Sequence, residues 1–214
     1  MIRWLPSRMV TRTLLLAAGL LCAPAALAGE LPLLQVALHG GYRGGGGLED
    51  AVTGDERDLA DAASFALALE LRFREGDDRY YQLWYSRQGS SVDDGAATRD
   101  VDVEYLHLGG TVPIGGQARV RPFFAAGLGA TRFSASGAGA SDRTRLSGSL
   151  GIGLAVPLGE HAALRLEARG YLTAMDADSA IFCRSDDGSA FCRITASGST
   201  LFQAEALAGI AVRF

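Results

Sequence analysis

The chain has 214 residues, 48% of them hydrophobic, and carries 24 acids against 20 arginines, with no lysine and a formal net charge of −4. That balance excludes a protein that works on nucleic acid through a basic stripe. Beyond the N-terminal segment no apolar run is long enough for a spanning helix, so a membrane protein of this composition has to cross as a closed barrel.

Residues 1–12 carry Arg3, Arg8 and Arg12 and no acid, and the apolar run 14–22 follows. Nine residues are too few for a spanning helix, which needs about 20. Pro24 and the small-residue pattern Ala26-Leu27-Ala28 then fit a secretory signal cut after Ala28, with Gly29 as the first mature residue. Cys22 does not read as a lipoprotein cysteine, because Leu21 stands where a small residue is needed. The expected organisation is a signal at 1–28 and one domain at 29–214; loss of three arginines takes the charge from −4 to −7.

Side chains alternate faces in an extended strand, so period-2 hydrophobicity marks each crossing. At 34–42, Leu34, Val36, Leu38 and Tyr42 oppose Gln35, Ala37, His39 and Gly41; a long acidic, glycine-rich loop is expected at 43–62. Residues 64–74 alternate most strictly, Phe65, Leu67, Leu69, Leu71 and Phe73 outward and Glu70, Arg72 and Arg74 inward. A short turn leads to 79–88, with Tyr81, Leu83 and Tyr85 opposite Gln82, Trp84 and Ser86, and then to a polar loop at 89–100. The strand at 101–112 is out of step with itself: Val101, Val103 and Tyr105 set one phase, Leu106 and Leu108 the other. Either a β-bulge near residues 104–106 or a first half standing above the membrane reconciles them.

After a tight turn at 113–117 come strands at 118–133, 144–156 and 162–173, separated by a small-residue loop at 134–143 and a turn at 157–161. Their outward sets are Val120, Phe124, Ala126, Leu128 and Ala130, then Leu146, Leu150, Ile152, Leu154 and Val156, then Leu164, Leu166 and Ala168. A fourth long loop, 174–198, precedes the last strand, 201–214, where Phe202, Ala204, Ala206, Ala208, Ile210 and Val212 alternate with Gln203, Glu205, Leu207, Gly209 and Arg213 up to Phe214. Eight segments joined by alternating long and short connections predict an all-β, eight-stranded antiparallel up-and-down transmembrane barrel, with both termini periplasmic and the long loops extracellular.

A closing strand with Phe202, Ile210 and Val212 on one face and an aromatic Phe214 at its end resembles the C-terminal signal read by the barrel assembly machinery of bacterial outer membranes. The segment Leu106-His107-Leu108-Gly109-Gly110-Thr111 is similar to the fourth strand of small outer-membrane barrels. Across the mature chain the resemblance is to the small eight-stranded outer-membrane barrels of OmpA-domain and OmpX type. It implies the outer membrane of a Gram-negative bacterium, with lipid and lipopolysaccharide as surroundings. On this reading the barrel ends the chain, and the peptidoglycan-binding domain of OmpA-like proteins does not follow.

The inward charges Glu70, Arg72, Arg119, Arg121, Arg145, Arg165, Glu167, Arg169, Glu205 and Arg213 are expected to interlock, because an eight-stranded lumen is only wide enough for side chains. The alternative is a narrow small-solute channel resembling OmpW-like proteins. Cys183 and Cys192 share the fourth loop, and an oxidising compartment favours a disulfide between them over free thiols or a metal site. An enzyme that modifies lipid A would need a histidine beside a serine. Neither His39 nor His107 has one two residues away, which leaves only a pair assembled across strands.

The paired glycines Gly127 and Gly129, and Gly151 and Gly153, lie inside strands with no helix after them, so they relieve crowding rather than cradle phosphate. Asp176 and Asp178 begin like a calcium loop, but Ile181 occupies the glycine position. No cofactor or metal is expected. The expected role is non-catalytic, structural or adhesive, through the extracellular loops and a ligand that the sequence does not name.

Overall fold

The computed structural model describes residues 34–50, 56–74, 78–93, 98–115, 119–135, 142–175, 180–186, 189–196 and 200–214; the expected signal and the calcium-like start at Asp176 lie outside them. Eight strands close a barrel: β1 (Leu34–Gly44), β4 (Ala62–Arg72), β5 (Tyr80–Asp93), β6 (Thr98–Pro113), β7 (Arg121–Ala135), β8 (Arg143–Pro157), β9 (Ala162–Ala174) and β12 (Thr200–Arg213). Each pairs antiparallel with its sequence neighbours, and β1 pairs with β12 to seal the wall. No described helix is long and apolar enough to cross a membrane, and the strands do the crossing.

The registers fix the barrel's shape. Pairing partners run from Leu201 through Thr173, Ser147, Gly129, His107, Trp84, Ala68 and Ala37, and the circuit returns to β12 at Ala211, ten residues further on. A stagger of ten over eight strands about 4.8 Å apart tilts each strand by about 41°. At that tilt a lipid-facing band about 25 Å tall takes about ten residues of strand. Strands β5 to β8 have 14, 16, 15 and 15 residues, so they outlast the band and project beyond it.

The projection resolves the phase conflict in β6. Its pairings with β5 and β7 run without a register shift from Val101 to Pro113, so there is no bulge. Val101, Val103 and Tyr105 point inward with His107, while Asp102, Glu104, Leu106 and Leu108 point outward. The side facing out is constant; what lies outside changes from lipid to water.

Two stretches expected as loops hold strands. The first contains β2 (Gly47–Asp50) and β3 (Glu56–Asp58), the fourth contains β10 (Ala180–Asp186) and β11 (Ser189–Ala196), and together they form a second sheet in the order β10-β11-β2-β3. The stretch 89–100 is mostly strand as well, because β5 and β6 stay paired out to Asp93 and Thr98. Gly45 and Gly46 turn the chain from β1 into β2 at φ of 85° and 107°, a backbone region that favours glycine.

Candidate functional site: the barrel lumen

Alternation sends every second residue into a space too narrow for water-filled passage, so the inward residues must satisfy one another. Three buried ion pairs stand among the described residues: Arg165 with Glu70 at 2.8 Å, Arg169 with Glu167 at 2.7 Å, and Arg43 with Glu205 at 2.9 Å. Charges taken out of water hold only when further hydrogen bonds use their remaining donors and lone pairs.

Near the short-turn end, Glu70 accepts from Arg165, from Gln82 at 2.8 Å and from Gln35. In the middle, Arg169 donates to Gln82 at 2.9 Å and to Ser149 at 3.2 Å, with its guanidinium 3.8 Å above the Trp84 ring. Above it, Glu205 accepts from Arg43, Ser86 and Tyr171, and Trp84 donates to Tyr171 at 3.0 Å. Tyr105 stacks on Tyr171 at 4.1 Å and donates to Gln203 at 2.7 Å, and Gln88 ties the Arg43 carbonyl at 2.8 Å.

The long-loop end of the lumen is closed differently, by buried apolar residues: Leu59, Val101, Val103, Phe133, Met175 and Leu201. Leu59 is held over the mouth because its N–H donates to Gly46 O at 3.1 Å, while the next residue, Ala60, donates to Ser91 O at 3.0 Å. A polar network below and apolar residues above occupy the described lumen in turn.

Of the ten charges read from sequence, Glu70, Arg165, Glu167, Arg169 and Glu205 meet in this network. Arg72, Arg121, Arg145 and Arg213 point inward but are half-buried. Arg119 is elsewhere: it is exposed in the turn before β7, whose pairing begins only at Arg121. Arg43 was missed, assigned to a loop although it continues the inward series 35, 37, 39 and 41. A count of parity through the glycines would have found it.

His107 lies between two serines contributed by β8, Ser149 at 2.9 Å and Ser147 at 2.8 Å, so the cross-strand pairing that the sequence left open exists. Gly129, opposite His107, has no Cβ because one would sit 2.8 Å from the His107 Cα. His107 is 1% exposed, and among the described residues its hydrogen bonds go to the two serines and to no carboxylate. His39 is also buried, 5.4 Å from the Trp84 ring, with neither nitrogen hydrogen-bonded.

The outer surface completes the picture. Leu108, Leu128 and Leu146 are the most exposed apolar residues, at 70–74%. Phe73, Tyr81, Phe124 and Phe214 flank them toward the short turns, and Tyr42, Phe65 and Phe202 toward the long loops, as the two aromatic girdles of a membrane barrel do. Phe202, Ile210, Val212 and Phe214 all face outward. Cys183 and Cys192 are direct cross-strand partners in the β10–β11 hairpin; their side chains lie outside the description.

Solved structures share this architecture. Neisserial surface protein A aligns with a TM-score of 0.55 at 14% identity, covering 85% of this chain and 97% of that one. AlkL, an outer membrane protein solved in lipid bilayers, aligns with 0.50 at 15%, covering 90% and 95%. At these identities the likeness is one of fold. No curated protein matches the chain in sequence. The model of the outer membrane protein beta-barrel domain matches residues 13–188, and the chain belongs to that family of the bacterial outer membrane.

Proposed function

We propose that this protein is a non-catalytic barrel that acts at the cell surface through its long loops, with both termini in the periplasm. The observation that carries the reading is the closed lumen: three ion pairs and their hydrogen bonds fill it, and apolar side chains cover it. A barrel without a through path is left with its outer wall and its ends. The first and fourth loops pair through β2 and β11, so the long-loop end presents a sheet rather than separate loops.

In this reading Cys183 and Cys192 form a disulfide. Directly opposed residues of an antiparallel pair have Cα atoms about 4.5–5.5 Å apart, within the range a disulfide spans. The bond would fasten the hairpin that reaches β2. Lipopolysaccharide surrounds the upper wall, and the outward face of β12 serves assembly. The buried His107 acts as a hydrogen-bonding strut and not as a base.

Single-channel recording on purified protein in planar bilayers tests this. The expected trace is flat; a steady, reproducible conductance step would replace the surface role with a channel. Mass spectrometry of lipid A after incubation with the protein should show no acyl change.

A further inference from the structure

Below Glu70 the lumen widens into a cavity of about 250 Å³ that opens among the short turns. At about 30 Å³ per water it has room for roughly eight waters. Phe123 and neighbouring prolines and alanines give it apolar walls, while Tyr80, Arg121, Arg165 and Arg213 face it with donors.

Those donors have little to bond. Tyr80 is nine-tenths buried and its hydroxyl has no partner. The buried Nε atoms of Arg121, Arg165 and Arg213 are equally unmatched. Among the described residues the Arg213 guanidinium reaches only Gln35, at 3.5 Å, and Arg121 makes no hydrogen bond or ion pair. The buried carboxylate of the lining is already taken, since both Glu70 oxygens are occupied by Gln35, Gln82 and Arg165. Asp78 and Glu160 lie on the rim, exposed, where water screens them. Buried polar groups of native proteins are nearly always paired, with protein, water or ligand, and a cluster of donors that the protein leaves without an acceptor suits an anionic one from outside. Guanidinium groups match the planar edge of a carboxylate and the oxygens of a phosphate.

We propose that this cavity binds a small oxyanion, a phosphate or carboxylate group on a soluble solute, held by Arg121, Arg213 and the Tyr80 hydroxyl with Arg165 behind. The occupant enters from the aqueous phase at the short-turn end, because the barrel wall separates the cavity from lipid on every side. The proposal rests on the fold alone and stands apart from the surface role above.

The test is titration of the refolded barrel, in nanodiscs of zwitterionic lipid, with inorganic phosphate, read by calorimetry and by ³¹P line broadening, with acetate as competitor. Saturable one-to-one binding is expected, weakened at least five-fold in Arg121→Gln and in Tyr80→Phe. Arg74→Gln, an exposed arginine outside the cavity, should bind as the parent does. Should Arg121→Gln fail to fold, Tyr80→Phe decides, since it removes one hydroxyl. Absence of saturable binding overturns the proposal, as does unchanged affinity in the variants. Binding should persist in nanodiscs of anionic lipid; its loss there would make a lipid headgroup the occupant and overturn the assignment to a soluble solute.

Discussion

At Leu128 the outward side chain is 74% exposed and its inward neighbours are glycines facing a charged lumen; at Arg132 and Phe133, one turn of the pattern further, the outward residue is an arginine and the inward one a buried phenylalanine. One strand, β7, thus carries two opposite amphipathic codes. In the lower region lipid solvates the wall, so apolar residues go out and ions go in. In the upper region water solvates it, and Arg87, Asp102, Glu104 and Arg132 go out while Val101, Val103 and Phe133 go in. Alternation persists through both; the solvent decides its sign.

The largest effect should come from breaking the lower code. Glu205 is fully buried with Arg43, Ser86 and Tyr171 all directed at it, so Glu205→Leu strands a buried guanidinium. Removing one partner of such a pair costs about 3–5 kcal/mol, read as a lower urea midpoint of the refolded barrel. The double variant Arg43→Leu/Glu205→Leu should recover most of that loss, because the two desolvation penalties vanish together. Additive losses in the double variant would mean that the pair is not a unit.

A second change sharpens where one code gives way to the other. Leu128→Arg places a charge in the middle of the lipid-facing band and should cost about 2–4 kcal/mol. Arg132→Leu, on the same face above the boundary, should stay within about 0.5 kcal/mol, as surface substitutions do. Urea unfolding in liposomes gives both numbers, and a gain of about 2–4 kcal/mol in Arg132→Leu would put Arg132 inside the bilayer.

The lower code was the legible one. Phe65 to Phe73 announces its strand without help, and the inward partners Glu70, Arg165, Glu167, Arg169 and Glu205 follow from parity once the outward face is known. The upper code was not, because its hydrophobic residues occupy the face that the lower code reserves for ions. Val101 and Val103 therefore read out of step with Leu106 and Leu108, open to a bulge or to a first half standing above the membrane, and residues 89–100 read as a polar loop around Asp93 and Asp94. Who pairs with whom across the lumen was equally hidden. Arg43 and Glu205 lie 162 residues apart, and the β1–β12 pairing that seals the barrel sets them directly opposite on neighbouring strands.

The smallest effect belongs to the outer surface of the upper region. Asp142 accepts from Arg132 at 2.5 Å, and that hydrogen bond holds its carboxyl below the ordinary range. A depressed folded-state pKa means that the pair's contribution is present above the unfolded value, about 3.9, and is lost as the pH falls through the lowered one. Both groups are fully in water, so the contribution is small and salt-sensitive. The melting temperature of the parent should exceed that of Asp142→Asn slightly at pH 7 in low salt, and the gap should shrink as the pH falls below the unfolded value and close in high salt. A gap that survives salt would mean that Asp142 is sheltered by the loops around it, and that the upper region keeps water from its own outer face.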